Sequence, residues 1–235
     1  KNEPEWMLNK RLNAYQIYKS LDYPKFKYGI GIITDFTPIE LGNLSLNNNI
    51  IVSNKEDIII VENFEDILNN KDDIIKNHFM EYCISPNEDK YTALHCALWN
   101  KGILILIPEK TKIKEPLVIE INNSQEACFN NILIIAEKDS EATLVIKNTA
   151  ELVNKFTSNV IEVITNESSS VDLINVQNLG NNSNNFSHTK AIQKKNSKFI
   201  QIDYSLGSKI SHSRLTSILD GEGAISKIYS LCYCS

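Results

Sequence analysis

The sequence predicts a mainly β chain built as a solenoid, a β-helix, preceded by an N-terminal helical and mixed α/β region. Three observations carry that reading. Polar turns with small residues, Lys138-Asp139-Ser140-Glu141-Ala142, Glu167-Ser168-Ser169-Ser170-Val171, Lys195-Asn196-Ser197-Lys198-Phe199 and Gly221-Glu222-Gly223-Ala224-Ile225, each open a strand. They recur about every 25 to 30 residues, the spacing of stacked repeats. A second strand lies between successive turns, at Val160 to Ile164, Thr189 to Gln193 and Arg214 to Leu219. Two strands per coil bury a continuous core only by stacking, because one coil cannot cover its own apolar face. The pairs Leu144/Ile146, Ile174/Val176, Ile200/Ile202 and Tyr229/Leu231 are expected to supply that face. A sandwich or jelly roll of similar strand spacing stays open on periodicity alone.

Reading from the N-terminus, Glu3-Pro4-Glu5 suits a first helical turn. Proline has no N–H to leave unsatisfied there, and carboxylates complement the positive helix end. The helix should run to about Ser20 with Leu8, Leu12 and Tyr15 on its apolar face, Ala14, Ile17, Tyr18 and Leu21 widening it, and Lys19 in the last turn. Tyr23-Pro24 ends it. From Gly29 to Asn54 the signals are weak and only short extended pieces are expected. A strand at Asp57 to Val61, a short helix at Glu62 to Leu68 and a longer one at Asp72 to Tyr82 follow. Ser85-Pro86-Asn87-Glu88-Asp89 breaks the chain before a helix at Tyr91 to Trp99. Gly102 stops that helix and Ile103 to Ile107 opens the β region. The division falls at 1–100 for the helical and mixed region and 101–235 for the solenoid core.

Composition narrows the function classes. The chain has 235 residues and a formal net charge of −5, so no overall basic field draws it to nucleic acid. No apolar run reaches the roughly 20 residues of a membrane-spanning helix, and the first residues lack a signal-peptide core, so a soluble, cytoplasmic chain is expected. Cys83, Cys96, Cys128, Cys232 and Cys234 are odd in number and dispersed, which fits free thiols better than a disulfide framework. There is no Gly-x-x-x-x-Gly-Lys-Ser/Thr loop to cradle nucleotide phosphates.

Several segments, taken in register, resemble the SufB/SufD family of iron–sulfur cluster assembly proteins. They are Asn2-Glu3-Pro4-Glu5-Trp6-Met7 with Arg11 and Ala14, Asp89 to His95, Asn100-Lys101-Gly102, and Ile107-Pro108-Glu109-Lys110. Leu133 to Glu137 with Ser140 to Thr143, Val176 to Gly180, Leu206 to Lys209 and Leu219 to Ala224 continue the series. The resemblance implies a right-handed parallel β-helix and a non-catalytic scaffold. It implies as partners a SufC-like ATPase, a SufB-like subunit or a second copy, and, indirectly, a cysteine desulfurase system. It implies no cofactor bound by this chain itself, with a transient iron–sulfur cluster only at the assembled complex. Where SufB-like members carry a sulfur-accepting cysteine, the alignment places Asn148, which cannot hold persulfide. Gln177-Asn178-Leu179 stands for the family's Gln-Asn-Trp, Glu120-Ile121-Asn122 for its Arg-x-Asn, and Thr189 or Lys190 for its lysine. These departures place the chain nearer SufD. The family continues through further coils and a C-terminal helical domain that contacts SufC, so a chain ending at Cys232-Tyr233-Cys234-Ser235 reads as a fragment or truncated form.

No residue is assigned a catalytic, cofactor-binding or metal role. Cys232 and Cys234, at i and i+2 on one strand face, form a candidate thiolate pair, set against simple packing as the stronger reading. Cys83 and Cys96 with His78 and His95 superficially resemble a zinc set but match no finger or ribbon spacing. Cys128 reads as core filling. His188 and His212, on separate rungs, are more often structural than catalytic. Gln177, Asn178 and Lys190 are placed at the interior or mouth of the solenoid, and Lys194, Lys195 and Lys198 in a solvated turn. Glu120, Glu141, Glu162, Asp172 and Asp203 are too scattered to predict the paired carboxylates of a polysaccharide-active β-helix enzyme. That enzyme, and an interaction solenoid unrelated to clusters, are the alternatives.

Overall fold

A computed structural model of the chain describes residues 3–24, 26–28, 32–34, 49–70 and 73–233. Helices α1 (Glu5–Ser20), α2 (Phe64–Asn70), α3 (Asp73–His78) and α4 (Lys90–Leu98) interleave with the short strands β1 (Phe26–Tyr28), β2 (Ile32–Thr34), β3 (Asn49–Ser53) and β4 (Ile60–Asn63). Ten strands follow: β5 (Lys101–Ile107), β6 (Leu117–Asn123), β7 (Ala127–Ala136), β8 (Glu141–Ala150), β9 (Phe156–Thr165), β10 (Ser170–Asn178), β11 (Asn184–Gln193), β12 (Lys198–Ser205), β13 (Ile210–Leu219) and β14 (Ile225–Cys232). Alternate strands join different sheets, in the orders β14-β12-β10-β8-β6-β3 and β13-β11-β9-β7-β5-β4. Apart from the antiparallel edges β3–β6 and β4–β5, every pairing in these sheets is parallel. The result is a parallel β-solenoid of about five turns, as the repeat predicts, and not a sandwich.

The recurring turns explain the stacking. Lys110, Asp139, Ser168, Asn196 and Gly223 each take a positive φ between 56° and 72° at equivalent places in successive coils. Each turn then donates to the next: Lys110 N to Lys138 O, Asp139 N to Glu167 O, Ser168 N to Lys195 O and Asn196 N to Glu222 O, at 2.9–3.0 Å. Ser140, Ser169 and Ser197 close three of these turns by donating their hydroxyls to Glu137 O, Asn166 O and Lys194 O. The small polar residues are therefore the ones whose side chains can bond within so tight a bend.

The two sheets have different surroundings. β7 and β9 are buried at every residue, whereas β8 and β10 alternate. The inner faces share one apolar cluster that includes Ile105, Ile119, Ile134, Ile146, Val163 and Leu173. The outer face of the β7–β9–β11 sheet is covered by the helices, where Phe64, Phe79, Trp99 and Tyr91 pack over Phe129, Leu133, Phe156 and Phe186. A sheet buried on both faces reads as a continuous apolar run and not as alternation.

Within the helical cover, α1 and α4 cap one another. Lys90 Nζ donates to Tyr18 O and Leu21 O at the end of α1, at 2.8 and 2.7 Å. Arg11 Nη1 donates to Ala97 O and Trp99 O at the end of α4, at 3.0 and 2.9 Å. Each cation thus meets carbonyls that no helical turn can satisfy. Asp89 and Thr92 form a reciprocal capping box at the start of α4.

Four expectations are corrected. Pro4 is the N-cap of α1 and lies outside its first turn. The face of α1 turned to the core carries Met7 and Ala14, while Leu8, Leu12 and Tyr15 are exposed, because Arg11 and Trp6 orient the helix by their contacts with the cover. The helix expected to reach Tyr82 ends at His78, where the chain turns so that Met80 and Ile84 can reach β9. Finally, Leu144 and Ile146 face inward, but Leu173 aligns with Leu144, so Ile174/Val176, Ile200/Ile202 and Tyr229/Leu231 point outward. The segment Gly29 to Asn54 falls largely outside the described residues; β3 and the β1–β2 pair supply the short extended pieces expected near there.

Candidate functional site

Following the register along the solenoid, the interior changes character. One inward column runs Ile119, Ile146, Asn175, Asp203, Ser230, and the next runs Ile121, Asn148, Gln177, Ser205, Cys232. The facing sheet does the same, with Ile103, Ile132, Ile161, Thr189 and Ile107, Ala136, Thr165, Gln193. An apolar core at the early coils therefore becomes a polar interior at the later ones.

Some of these groups satisfy one another. Asn175 Nδ2 donates to Asp203 Oδ1 at 2.7 Å, and burial pushes the Asp203 carboxyl above its ordinary range against the pull of that bond. Asn130 Nδ2 bridges Asn123 Oδ1 and Asn159 Oδ1, both at 2.8 Å. Gln177 donates to Gly207 O and accepts from Ser205 Oγ and Gly207 N. Others have no protein partner: Asn148 Oδ1, Asn175 Oδ1, Thr189 Oγ1 and Gln193 Nε2. Buried polar atoms without protein partners are places for ordered water.

The seam between the helical cover and the solenoid concentrates the charged groups. Glu88 accepts from Lys190 Nζ at 2.8 Å and from Arg214 Nη1 at 3.1 Å, and Arg214 also pairs with Asp89 at 3.3 Å. Burial works against the Glu88 charge, but Lys190 and the Ser85 N–H hold its carboxyl below the usual range. One loop is thereby tied to two successive coils. Nearby, Glu162 accepts from Met80 N at 3.0 Å and Ile84 N at 3.1 Å. Complete burial nevertheless pushes its carboxyl up to about 7. His95 contacts Ser158 Oγ at 2.8 Å, and burial lowers its pKa to about 3. His188 and His212, lowered by burial to about 4, are neutral at neutral pH, and His212 stacks on Phe186.

The sequence candidates separate accordingly. Cys83 is buried with its thiol donating to Lys190 O, Cys96 is buried in α4, and burial raises both pKa values, Cys96 to about 12. His78 binds Ile74 O within its own helix, so these four residues do not converge. Among the described residues no group of three or more His, Cys, Asp or Glu side chains is placed to hold a metal. Cys128 packs beside Asn154, and burial raises its pKa to about 11. Cys232 is exposed and Cys234 lies outside the described residues. Gln177 is interior as expected; Lys190 faces outward to Glu88, and Asn178 is exposed. Lys194 pairs with Asp220 at 2.6 Å. Glu120 and Glu141 are exposed beside Lys147 and Lys112, Asp172 lies on the outer face of β10, Glu162 is under the cover and Asp203 is inside. Sequence reasoning missed the Glu88 hub and the polar columns. The signal of the polar interior was present in Asn130/Asn159 and Asn148/Gln177, amides at the same register one coil apart.

Residues 119–235, the coils from β6 onward, match the family described as SUF system FeS cluster assembly, SufBD core domain. The chain belongs to the SufB/SufD family. It is 29% identical over 72% of its length to the iron-sulfur cluster assembly protein SufB of Bacillus subtilis, covering 38% of that protein. It is 23% identical over 99% of its length to an iron-sulfur cluster assembly SufBD family protein of Staphylococcus haemolyticus, and 25% identical over the same share to one of Staphylococcus saprophyticus, covering 60% of each. The chain thus spans between 38% and 60% of the length of these relatives. Among the described residues no helix is long and apolar enough to cross a membrane.

Proposed function

We propose that this SufB/SufD chain is the β-solenoid part of a non-catalytic scaffold subunit for iron–sulfur cluster assembly, working in the cytoplasm. Its partners in this reading are a SufC-like ATPase, on which nucleotide hydrolysis occurs, and a SufB-like subunit or a second copy. A cysteine desulfurase system supplies sulfur indirectly, and a transient cluster is cargo of the assembled complex. The observation that carries the reading is the match of the SufBD core domain to the stacked coils themselves.

Within that reading the chain stands on the SufD side. Asn148 points into the solenoid between Ile121 and Gln177 and is buried. An amide there offers hydrogen bonds to interior water, and no thiolate to accept persulfide sulfur. The test is co-purification of the full-length protein with SufC-like and SufB-like subunits at controlled salt, with iron and acid-labile sulfide measured on the complex. Recovery of both subunits is expected, with sulfur delivery unchanged by Asn148→Ala. Failure to recover either subunit overturns the scaffold reading, and a large loss of sulfur delivery in Asn148→Ala overturns the SufD-side assignment.

A further inference from the structure

α1 presents one face to its own chain and a different, ordered face to solvent. Inward it buries Met7 and Ala14. Outward it exposes Glu5, Leu8, Leu12, Tyr15 and Lys19. Their spacing of three, four, three and four residues is that of a coiled-coil seam, in which apolar positions recur on average every 3.5 residues. The apolar members are far from covered, with Leu8 47%, Leu12 53% and Tyr15 46% exposed.

We propose that α1 pairs with α1 of a second copy of this chain, as an antiparallel two-helix seam centred on Leu12. The sequence of the seam is self-complementary only in that direction. Reversal about Leu12 sets Glu5 of each copy against Lys19 of the other, with the two Leu12 side chains meeting on the axis and Leu8 one residue away from the position that faces Tyr15. A parallel pair would oppose Glu5 to Glu5 and Lys19 to Lys19 at the two ends, and like charges across a seam are destabilising. Neither end charge is committed elsewhere by an ion pair among the described residues, in contrast to Lys10, which pairs with Glu81, and Arg11, which pairs with Glu3. Lys19 lies 5.0 Å from the Tyr15 ring centre, at the edge of the same stripe. Antiparallel helices also oppose their dipoles favourably.

The seam is short. Its 16 residues span about 24 Å, and one helix pair falls below the roughly 1,200 Å² of standard interfaces. Association is therefore weak and concentration-dependent. It lies on the helical cover and makes no use of the solenoid interior, so its failure leaves the scaffold reading untouched.

Sedimentation equilibrium of the full chain, from about 1 μM to about 1 mM, tests it. The wild type is expected to pass from monomer to dimer within that range. Glu5→Lys alone and Lys19→Glu alone are each expected to weaken the dimer roughly tenfold. Glu5→Lys combined with Lys19→Glu should restore it, because the exchanged charges meet again. Leu12→Glu should abolish it with the circular dichroism spectrum unchanged, since Leu12 supports no part of the core. A wild type that stays monomeric throughout overturns the proposal. So does a dimer indifferent to Leu12→Glu, or a double exchange as weak as either single one.

Discussion

Glu162 is the residue whose behaviour runs against intuition, because its hydrogen bonds look stabilising and its charge is not. The carboxyl lies in the apolar run Val160-Ile161-Glu162-Val163-Ile164, fully buried under the turn between α3 and α4. Two backbone N–H groups, Met80 and Ile84, favour the ionised form, as do Lys10 and Lys190 from α1 and β11, yet desolvation outweighs all four. The folded-state value near 7, against an ordinary 4.5, fixes the sign. Stability from this group is fully present below about pH 4.5 and is lost as pH rises through about 7, a total of about 3 kcal/mol. Glu162→Gln mimics the neutral acid in shape and keeps one acceptor for the two N–H groups. The variant is therefore expected to match the wild type within about 1 kcal/mol near pH 4.5 and to exceed it by up to about 3 kcal/mol at pH 8. Glu162→Ala, which leaves both N–H groups unpaired, should lose about 2–4 kcal/mol near pH 4.5, a deficit that shrinks by about 3 kcal/mol toward pH 8 as the wild type itself weakens. Urea denaturation of all three proteins across pH 4.5 to 8 reads the difference directly. A Glu162→Gln variant that becomes progressively less stable than wild type as pH rises would refute the reasoning, since it would mean that the site favours the charge.

The three buried histidines act in the opposite sense: His95, His188 and His212 are lowered to about 3, 4 and 4. Their contribution is present above about pH 6.5 and is lost as pH falls through about 4, together worth at least about 5 kcal/mol. Replacing His95 with Gln should flatten the acid limb of the denaturation profile by one proton, and an unchanged slope would count against a neutral buried ring. In the turn stack, a Cβ on Gly221 would come within 2.7 Å of Lys194 C and Lys195 Cα, backbone atoms of the coil before, whereas nothing lies within 4 Å of one on Gly180. Gly221→Ala should cost about 2–4 kcal/mol and raise hydrogen exchange at 193–197, while Gly180→Ala, at a φ of 74°, should cost only about 1 kcal/mol.

The turns were legible in the sequence because their chemistry is local. A residue of positive φ followed by a serine that closes the bend leaves a mark in three successive coils, at Asp139-Ser140, Ser168-Ser169 and Asn196-Ser197. Helix α4 was legible for the same reason, through Asp89 and Thr92. The outward face of α1 was visible as a stripe, but not its direction, because Leu8, Leu12 and Tyr15 are as apolar as any core face. The contacts of Arg11 with the end of α4, 86 and 88 residues away in sequence, and of Trp6 with the cover, decide which side turns inward. The Glu88 hub was invisible for a similar reason, since Lys190 and Arg214 come to it from 102 and 126 residues away.

The misassigned strand faces follow from a deeper rule. Alternation reports which residues share a face, and hydropathy is then used to guess which face is inside. In β8 the guess holds, since Leu144 and Ile146 point inward. In β10 and β12 it inverts: the inward residues include Asn175, Gln177, Gln201 and Asp203, and the outward ones Ile174, Val176, Ile200 and Ile202. A polar column can be buried at this cost only where neighbours or water supply its hydrogen bonds. The Asn175–Asp203 and Gln177–Gly207 contacts do so in part, and the remaining unpartnered atoms call for water. An outward apolar column, in turn, is half-covered by its own neighbours, while Val171, Leu173 and Phe199 keep the start of both strands apolar inside. Such a reversal works against stability in both directions. The early coils, apolar inside at Ile105, Ile119 and Ile134, supply the packing that lets the later ones depart from it.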